Sequence, residues 1–582
     1  MSMIEADHLG RLFSARVKAS APKHAFTHQV DGVRTHLSWD NLDQRTRSLA
    51  HELLLLGAAP GERVALLAEN SLDWVCTDLA IHLLNAVHVP IHASLTGHQV
   101  AFQLLHSGAR IFVISSALQA AKLASLTNDD WNELAVSADV SLNDFRNSIQ
   151  CVTFADIDCF ILDRRVGFLI YGDEDKGVFE AAIQENLEEI VGSALASYQS
   201  TDLATILYTS GTTGEPKGVM LTHGNVTSNA IAAVTQLGEL ESDLRLNFLP
   251  LSHVFARTCD LYTWIVAGSR LELAKSRETA IADLRACGAT ILNTVPFFLE
   301  RIYRYLADNN LLDSPTAARE IMGGNLRLVN SGGAALPNYL YDYFNEHGVP
   351  VFQGYGLSET SPIISCCGPG RDRRGSAGRP IPGIEVKISE EGEIITRGPH
   401  VMPGYYRNEA ATRDVIRDGW FHTGDLGKID EDGFIFITGR KKEIIVLSSG
   451  KNISPVLIEG LLLREPLIAQ VVIFGDGQNF LSALIVPNFD RLKTEFGDGA
   501  PSELVQDCRC KDRYREILRE RLTTLSPHEQ VKAFALLEKP FSIDDGEMTA
   551  KMSLRRNVIA QRYRKTLQAL FIERQGISPD KV

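Results

Sequence analysis

The chain is 582 residues long, too long for one compact core, so two or more domains are expected. Its 45% hydrophobic and 22% charged content is ordinary for a globular protein, and a formal net charge of −14 argues against a general nucleic-acid binder, which would show a basic face. The nine cysteines are scattered; neither Cys366-Cys367 nor Cys508-Arg509-Cys510 has zinc spacing, which reads as reduced thiols of an intracellular protein without a disulfide framework.

Met1 to Arg11 carry acidic groups and no apolar core, unlike a secretory signal. Leu42, Leu49, Leu53 and Leu56 recur at helical spacing and predict an amphipathic helix over 39–56, ended by Gly57. Pro60-Gly61 turns the chain into a strand at 64–67, and Ser71 is placed to cap the next helix. The most apolar stretch, Leu72 to Ile91, is interrupted by Asp73, Asp78, His82, Asn85 and His88. It reads as a buried helix running into a strand at 87–91, not as a membrane span. A helix over 100–107 and a strand at 111–114 continue the alternation, the pattern of a covered, largely parallel sheet in an α/β fold. Between about 119 and 198 the pattern blurs, and no chemistry can be assigned there.

Tyr208 to Gly218 read Tyr-Thr-Ser-Gly-Thr-Thr-Gly-Glu-Pro-Lys-Gly, flanked by short apolar runs at 204–208 and 219–221. Two glycines and four hydroxyl side chains fill Thr209 to Gly214 (Thr209, Ser210, Gly211, Thr212, Thr213, Gly214), and Lys217 adds a cation. Glycines let the backbone turn N–H groups toward a ligand, and hydroxyls and lysine supply further donors, a composition suited to phosphate oxygens. An ordinary Gly-rich hairpin fits the composition equally well. The Walker spacing is absent, because no Gly-Lys-Ser/Thr closes the loop and a strand follows it.

Further strands are expected at 248–251, 290–292, 326–329 and 349–352, ending in Ser252-His253, Asn293-Thr294, Asn330 to Gly333 and Gln353 to Gly356. Several polar strand ends in one sheet imply a crevice lined by backbone groups. His253 is as ordinary in a structural role; its place at a strand's carboxyl end raises the functional one. Tyr355, between glycines, offers an aromatic face, and Glu359 a carboxylate on the next turn. Residues 378–439 resemble a small β-subdomain in which Asp425 is either a local turn cap or a ligand-binding carboxylate. A boundary is placed at Arg440–Lys442, dividing an N-terminal domain, 1–440, from a small α+β domain, 441–582. There, strands are expected at 444–447, 471–474 and 484–487, a Gly-bearing loop at 448–452, and a helix opened by Ser454-Pro455. A loop or edge strand at 546–553 precedes a basic helix over 554–575, which reads as a solvated face or as one that seeks anionic lipid.

Taken together, Tyr208–Gly218, Gln353-Gly354-Tyr355-Gly356-Leu357-Ser358-Glu359-Thr360, Trp420-Phe421-His422-Thr423-Gly424-Asp425 and Gly439-Arg440-Lys441-Lys442-Glu443 resemble the ordered motifs of the adenylate-forming (AMP-binding) superfamily. Leu249-Pro250-Leu251-Ser252-His253, Ser448 to Pro455 and Leu554-Arg555-Arg556-Asn557-Val558-Ile559 make it most similar to the bacterial long-chain fatty acyl-CoA synthetases. The resemblance implies a large N-terminal domain of layered α/β subdomains hinged to a small α+β domain. It implies ATP, Mg²⁺ and CoA as ligands and a long-chain fatty acid as substrate. Thr209 to Gly214 and Lys217 would grip the β- and γ-phosphates, Tyr355 would stack on adenine within Gln353–Ser358, and Glu359 would hold Mg²⁺. Gly332, Gly333 and Ala334 would run beside the nucleotide, and Asp425, helped by Arg440, would take the ribose hydroxyls. His253 would border the carboxylate and acyl pocket, Lys442 would be the hinge, and Ser449-Gly450 would face the CoA thiol.

A carboxylate is a poor acyl donor; attack on the α-phosphorus of ATP gives an acyl-adenylate from which AMP departs easily. That displacement needs Mg²⁺ and a positioned cation more than a general base. In most of the family that cation is a lysine two residues before the Arg-Arg pair; here the position is Ser553, and Lys551 lies two residues earlier. Side chains two apart in an extended segment share a face, so Lys551 is expected to reach the same phosphates from about 6–7 Å further back. The Ser553 departure keeps open a weakly active homologue that only binds nucleotide or acyl groups, and a ligase loading a carrier-protein thiol is the other alternative. The expected location is the cytoplasm; a lipid substrate is compatible with peripheral contact at the inner membrane face, though no residue pattern demands it.

Overall fold

A computed structural model describes residues 6–30, 33–148, 150–153, 167–168, 191–192, 195–209, 216–542, 545–548 and 554–574. The chain forms two compact units. The larger comprises residues up to Lys387 with Ile395–Thr423 and Ile429–Ile435; the smaller comprises Ile388–Ile394, Gly424–Lys428 and Phe436 onward.

The larger unit is the expected α/β fold. Helix Trp39–Leu55 buries Leu42, Thr46, Ala50 and Leu53 along one stripe, and Ser38 caps it by accepting from Asn41 N. Ser71 likewise accepts from Trp74 N at 3.0 Å to start Leu72–Leu83, whose next strand is Val87–Ile91. In the first sheet Val87–Ile91 lies between Arg63–Leu67 and Leu203–Thr209, all parallel, with Ile111–Ile114 beyond Arg63–Leu67. Val64 and Leu66 face the main core while Ala65 and Leu67 face a second one under Gly97–Ser107. That is why these strands read as unbroken apolar runs. Lys217–Thr222 joins antiparallel to Leu203–Thr209, and Gly404–Tyr405 closes the edge. A second sheet runs Val351–Gly356, Leu328–Ser331, Ile291–Thr294, Leu244–Asn247, Arg270–Leu273 in parallel, so the carboxyl ends of these strands share one edge. The main core contains residues of both sheets and of the helices Leu9–Ser20, Trp39–Leu55, Leu72–Leu83 and His223–Leu237. Trp39 stacks on Trp264 within it, ring centroids 4.5 Å apart.

Two expectations are corrected. Residues 248–251 are no strand but a bend that leads into a turn at 251–252, and the strand is Leu244–Asn247. Pro250 has no N–H to give a ladder, while Asn247 Nδ2 donates to Leu249 O at 3.1 Å and folds the segment back. The basic C-terminal helix is two, Arg556–Arg562 and Arg564–Arg574, because Tyr563 leaves helical geometry at φ −98°, ψ 21°. The segment 117–148, where periodicity was unreadable, holds the helices Ala117–Ala124, Asn128–Ser137 and Leu142–Ser148.

In the smaller unit, Ile468–Phe474, Leu481–Pro487 and Val531–Leu536 form a three-stranded sheet. One face packs on Pro455–Leu462 and Cys508–Arg521, the other on the two C-terminal helices. Among the described residues no helix is long and apolar enough to cross a membrane.

His400, only 1% exposed, sits 3.0 Å from Thr396 Oγ1 through Nε2, and Ser361 donates to its carbonyl. Burial lowers its pKa to about 4. The unfolded chain therefore takes up a proton below about pH 6.5 that the folded chain refuses until about pH 4, and stability falls as pH falls through that window. His400→Gln is expected to flatten the loss between pH 6.5 and 4 by about 1.4 kcal/mol per pH unit, read from urea denaturation across pH. An unchanged slope would show that His400 is not the group responsible.

Candidate functional site

In the larger unit the Gly-rich loop joins two adjacent antiparallel strands, with Thr209 and Lys217 in direct register and Tyr208 opposite Gly218. Ser210, Gly211, Thr212, Thr213 and Gly214 lie outside the described residues. Tyr208 is anchored by its hydroxyl, 2.8 Å from His106 Nδ1. Lys217 holds its ammonium over the ring of Tyr405, 4.9 Å from the centroid. The Tyr405 hydroxyl in turn donates to Glu359 Oε1 at 2.8 Å, and Met402 N donates to Glu359 O at 2.9 Å. A cation and a carboxylate thus stand on either side of one tyrosine. No reading of the sequence singled out Tyr405, and nothing in its spacing could have: it lies 46 positions from Glu359.

Glu359 follows the strand Val351–Gly356 on a short 3₁₀ turn, Ser358–Thr360. Gln353 and Ser358 are buried, Gly354 and Tyr355 half-buried, and Gly356 exposed. A Cβ on Gly356 would lie 1.8 Å from Pro362 O, so the chain admits only hydrogen there. Just past the neighbouring strand Leu328–Ser331, a Cβ on Gly332 would meet the Phe255 ring at 3.0 Å, and Gly333 has φ +77°; Gly333 and Ala334 are exposed. His253 stands just before Phe255 and caps the helix Val254–Ala256, its Nδ1 accepting from Phe255 N at 3.2 Å. Gly332 and the His253 turn are therefore brought together through Phe255. Asn293, expected at a crevice wall, instead turns inward: with Asn247 it donates to Asp260, whose carboxyl burial raises to about 6 against the opposing Arg245 charge.

In the smaller unit, Asp425 is buried and accepts from Arg440 Nε at 2.9 Å, and Gly424 N donates to Glu393 Oε1 at 2.8 Å. Lys442 lies in the 3₁₀ turn Lys441–Glu443 directly after the strand Ile435–Arg440. Ser449 and Gly450 form an exposed turn between Ile445–Val446 and Asn452–Ile453, with Gly450 at φ +76°. Lys551 and Ser553 lie outside the described residues.

The donor set beside the hairpin fits a divalent cation with phosphate. Glu359 supplies a hard oxygen ligand, its Oε2 having no hydrogen-bond partner among the described residues, and Lys217 has no carboxylate partner among them. A second cluster does not fit a metal. Asp78, His82 and His88 bring their ligand atoms within 4.8 Å of one another, yet Arg257 Nη2 already stands 2.6 Å from Asp78 Oδ1 and 2.9 Å from His88 Nδ1. Burial opposes ionisation of Asp78, but Arg257 beside it and the bonds from His82 and His88 hold its carboxyl well below the usual range; burial and Arg257 keep His88 neutral, at about 3. Arg257 Nη1 also donates to Thr205 Oγ1, on the strand that leads into the Gly-rich loop.

The chain matches the family model of AMP-binding enzymes over residues 13–406 and that of the AMP-binding enzyme C-terminal domain over 442–575. It is 30% identical over 592 aligned positions to the long-chain-fatty-acid–CoA ligase FadD15 of Mycobacterium bovis, covering 93% of both chains. It is 26% identical to fatty acyl-CoA synthetase A of Dictyostelium discoideum, covering 95% of this chain and 88% of that one. Its fold matches o-succinylbenzoate CoA synthetase from Bacillus subtilis in complex with ATP and magnesium (TM-score 0.68, 23% identity, 94% of this chain and 98% of that one). It also matches the anthranilate CoA ligase AuaEII in complex with anthranoyl-AMP (TM-score 0.72, 18% identity, 98% and 99%). The chain belongs to the AMP-binding, adenylate-forming family of acid–CoA ligases.

Removing Arg257 leaves Asp78 as a buried, uncompensated charge. Arg257→Met is expected to cost about 3–5 kcal/mol in chemical denaturation, and the added mutation Asp78→Asn should recover part of it. A loss under about 1 kcal/mol would mean that the pair carries no structural weight.

Proposed function

We propose that this family member is an AMP-forming long-chain fatty acid–CoA ligase: fatty acid and ATP give acyl-AMP and pyrophosphate, then the CoA thiol takes the acyl group and AMP leaves. The observation that carries the reading is the pair of opposite charges, Lys217 and Glu359, held apart by Tyr405 at the root of the Gly-rich hairpin. Such a pair suits a metal-bound polyphosphate. The long-chain assignment is supported by the relative named a long-chain-fatty-acid–CoA ligase, aligned over 93% of both chains.

Thr209 to Gly214 and Lys217 grip the β- and γ-phosphates. Tyr355 offers its ring to adenine between Gly354 and Gly356, with Gln353 and Ser358 fixing the strand's end. Gly332, Gly333 and Ala334 run beside the nucleotide, where the absence of a side chain at the exposed Gly333 allows close approach. Glu359 Oε2 holds Mg²⁺, which, when bound, neutralises charge on the phosphate oxygens. Phe255 sets His253 beside Gly332, where the imidazole borders the carboxylate of the fatty acid. Asp425 accepts from the ribose hydroxyls, its orientation fixed by Arg440. Lys551 supplies the cation for the first half-reaction in place of Ser553. Residues 441–582 move as the second domain about Lys442 between the half-reactions, and Ser449-Gly450 then faces the CoA thiol.

Thioester formation with free CoA across a series of carboxylic acids tests the reading; the rate is expected to be highest for long-chain acids. Pyrophosphate release without any CoA thioester would point to a carrier-protein acceptor. Lys551→Ala is expected to slow fatty-acid-dependent pyrophosphate release by roughly 10²–10³; release at the wild-type rate would remove Lys551 from the mechanism.

A further inference from the structure

Tyr405 is 7% exposed, and its phenol spends its proton on a carboxylate while its ring faces an ammonium. Its position is fixed from three sides. The two-residue strand Gly404–Tyr405 pairs with Lys217–Thr222, placing Tyr405 opposite Val219. Tyr406 N donates to Gly218 O at 2.7 Å, and Tyr405 N donates to Thr412 Oγ1 at 2.9 Å. The same segment grips the Glu359 main chain through Met402 N. Tyr405 is thus fastened both to the strand that bears Lys217 and to the turn that bears Glu359.

Side chains of opposite charge that meet on one residue could close into an ion pair, and each would then be lost to a ligand. Among the described residues Lys217 and Glu359 form no ion pair. The tyrosine stands between them, satisfying one by its ring face and the other by its hydroxyl. A hydrogen bond to Oε1 sets the plane of the carboxylate, and that plane decides where Oε2 points. We propose that Tyr405 is a positioning residue: it keeps Lys217 and Glu359 apart and orients Glu359 Oε2 toward a metal-bound triphosphate. This rests on the reading above that Glu359 takes the metal.

The test is equilibrium binding of ATP without fatty acid, by calorimetry, with Mg²⁺ and with EDTA, for the wild type, Tyr405→Phe, Glu359→Ala and the double variant. Glu359→Ala should abolish the gain in affinity that Mg²⁺ confers. Tyr405→Phe keeps the ring and should lower that gain about tenfold, equivalent to about 1.4 kcal/mol, while leaving affinity in EDTA unchanged. In the Glu359→Ala background Tyr405→Phe should have no further effect, a non-additivity that a merely structural role would not produce. Tyr405→Leu, which also removes the ring, should additionally weaken binding in EDTA through Lys217. If Glu359→Ala loses the Mg²⁺ gain but Tyr405→Phe keeps it, or if the two effects simply add, the positioning role is overturned while the metal reading stands. If Glu359→Ala keeps the gain, the metal reading fails and the role of Tyr405 falls with it.

Discussion

The buried pair Asp78 and Arg257 ties together elements that lie far apart in the chain. Asp78 comes from the helix Leu72–Leu83, and Arg257 opens the π-helical turn that follows His253; Thr205 and His88, on neighbouring strands, complete the ring of partners. Each charge would be costly alone in this interior, and together they hold the strand feeding the Gly-rich hairpin against the segment that presents His253. Tyr262 adds its hydroxyl to both carboxylate oxygens of Asp78. The pair stabilises less than its Coulomb attraction suggests, since both ions were desolvated to form it. Its effect is on geometry: one arrangement of strand, helix and turn satisfies both charges.

Around that clamp the larger unit repeats one device, a strand that ends where backbone or a short side chain faces outward. Leu203–Thr209 and Val351–Gly356 both do so. Lys217 and Glu359 are both met by Tyr405 of the short edge strand Gly404–Tyr405. The rigid sheet thus supplies position, and an added strand supplies orientation. In the smaller unit Asp425 and Arg440 sit on paired strands, and the Asp425 carboxylate is braced by the Arg440 guanidinium.

How much of this could be read from the sequence depended on how far apart the partners lie. The helix at 39–55 and the strands at 63–67, 87–91 and 111–114 declared themselves through local period and through Ser71. The fold class and the family were legible because the motifs are contiguous and ordered. Thr127 with Asp130 forms a capping box that marked the start of Asn128–Ser137, but weak apolar periodicity around it hid the helix. At 248–251 the apolar run misled, because Pro250 and the Asn247 side chain impose a turn that hydropathy cannot register. Asp78, His82 and His88 were visible only as interruptions of an apolar stretch; their partner Arg257 sits in another element. Tyr405 was invisible for the same reason, since a hydrogen bond across 46 positions leaves no local trace.

Gly356 carries a further consequence. A side chain there would strike the carbonyl of Pro362, whatever the site contains. Intolerance of substitution at this position would therefore report on the hairpin formed by Val351–Gly356 and Ile363–Cys366, not on a bound nucleotide. A mutational scan scored by activity would place Gly356 among the most sensitive positions, beside residues that touch ligand. Scored by abundance of folded protein, the same scan would separate them: Gly356 would stay sensitive, whereas Glu359 and Lys217, both partly exposed, would be less so.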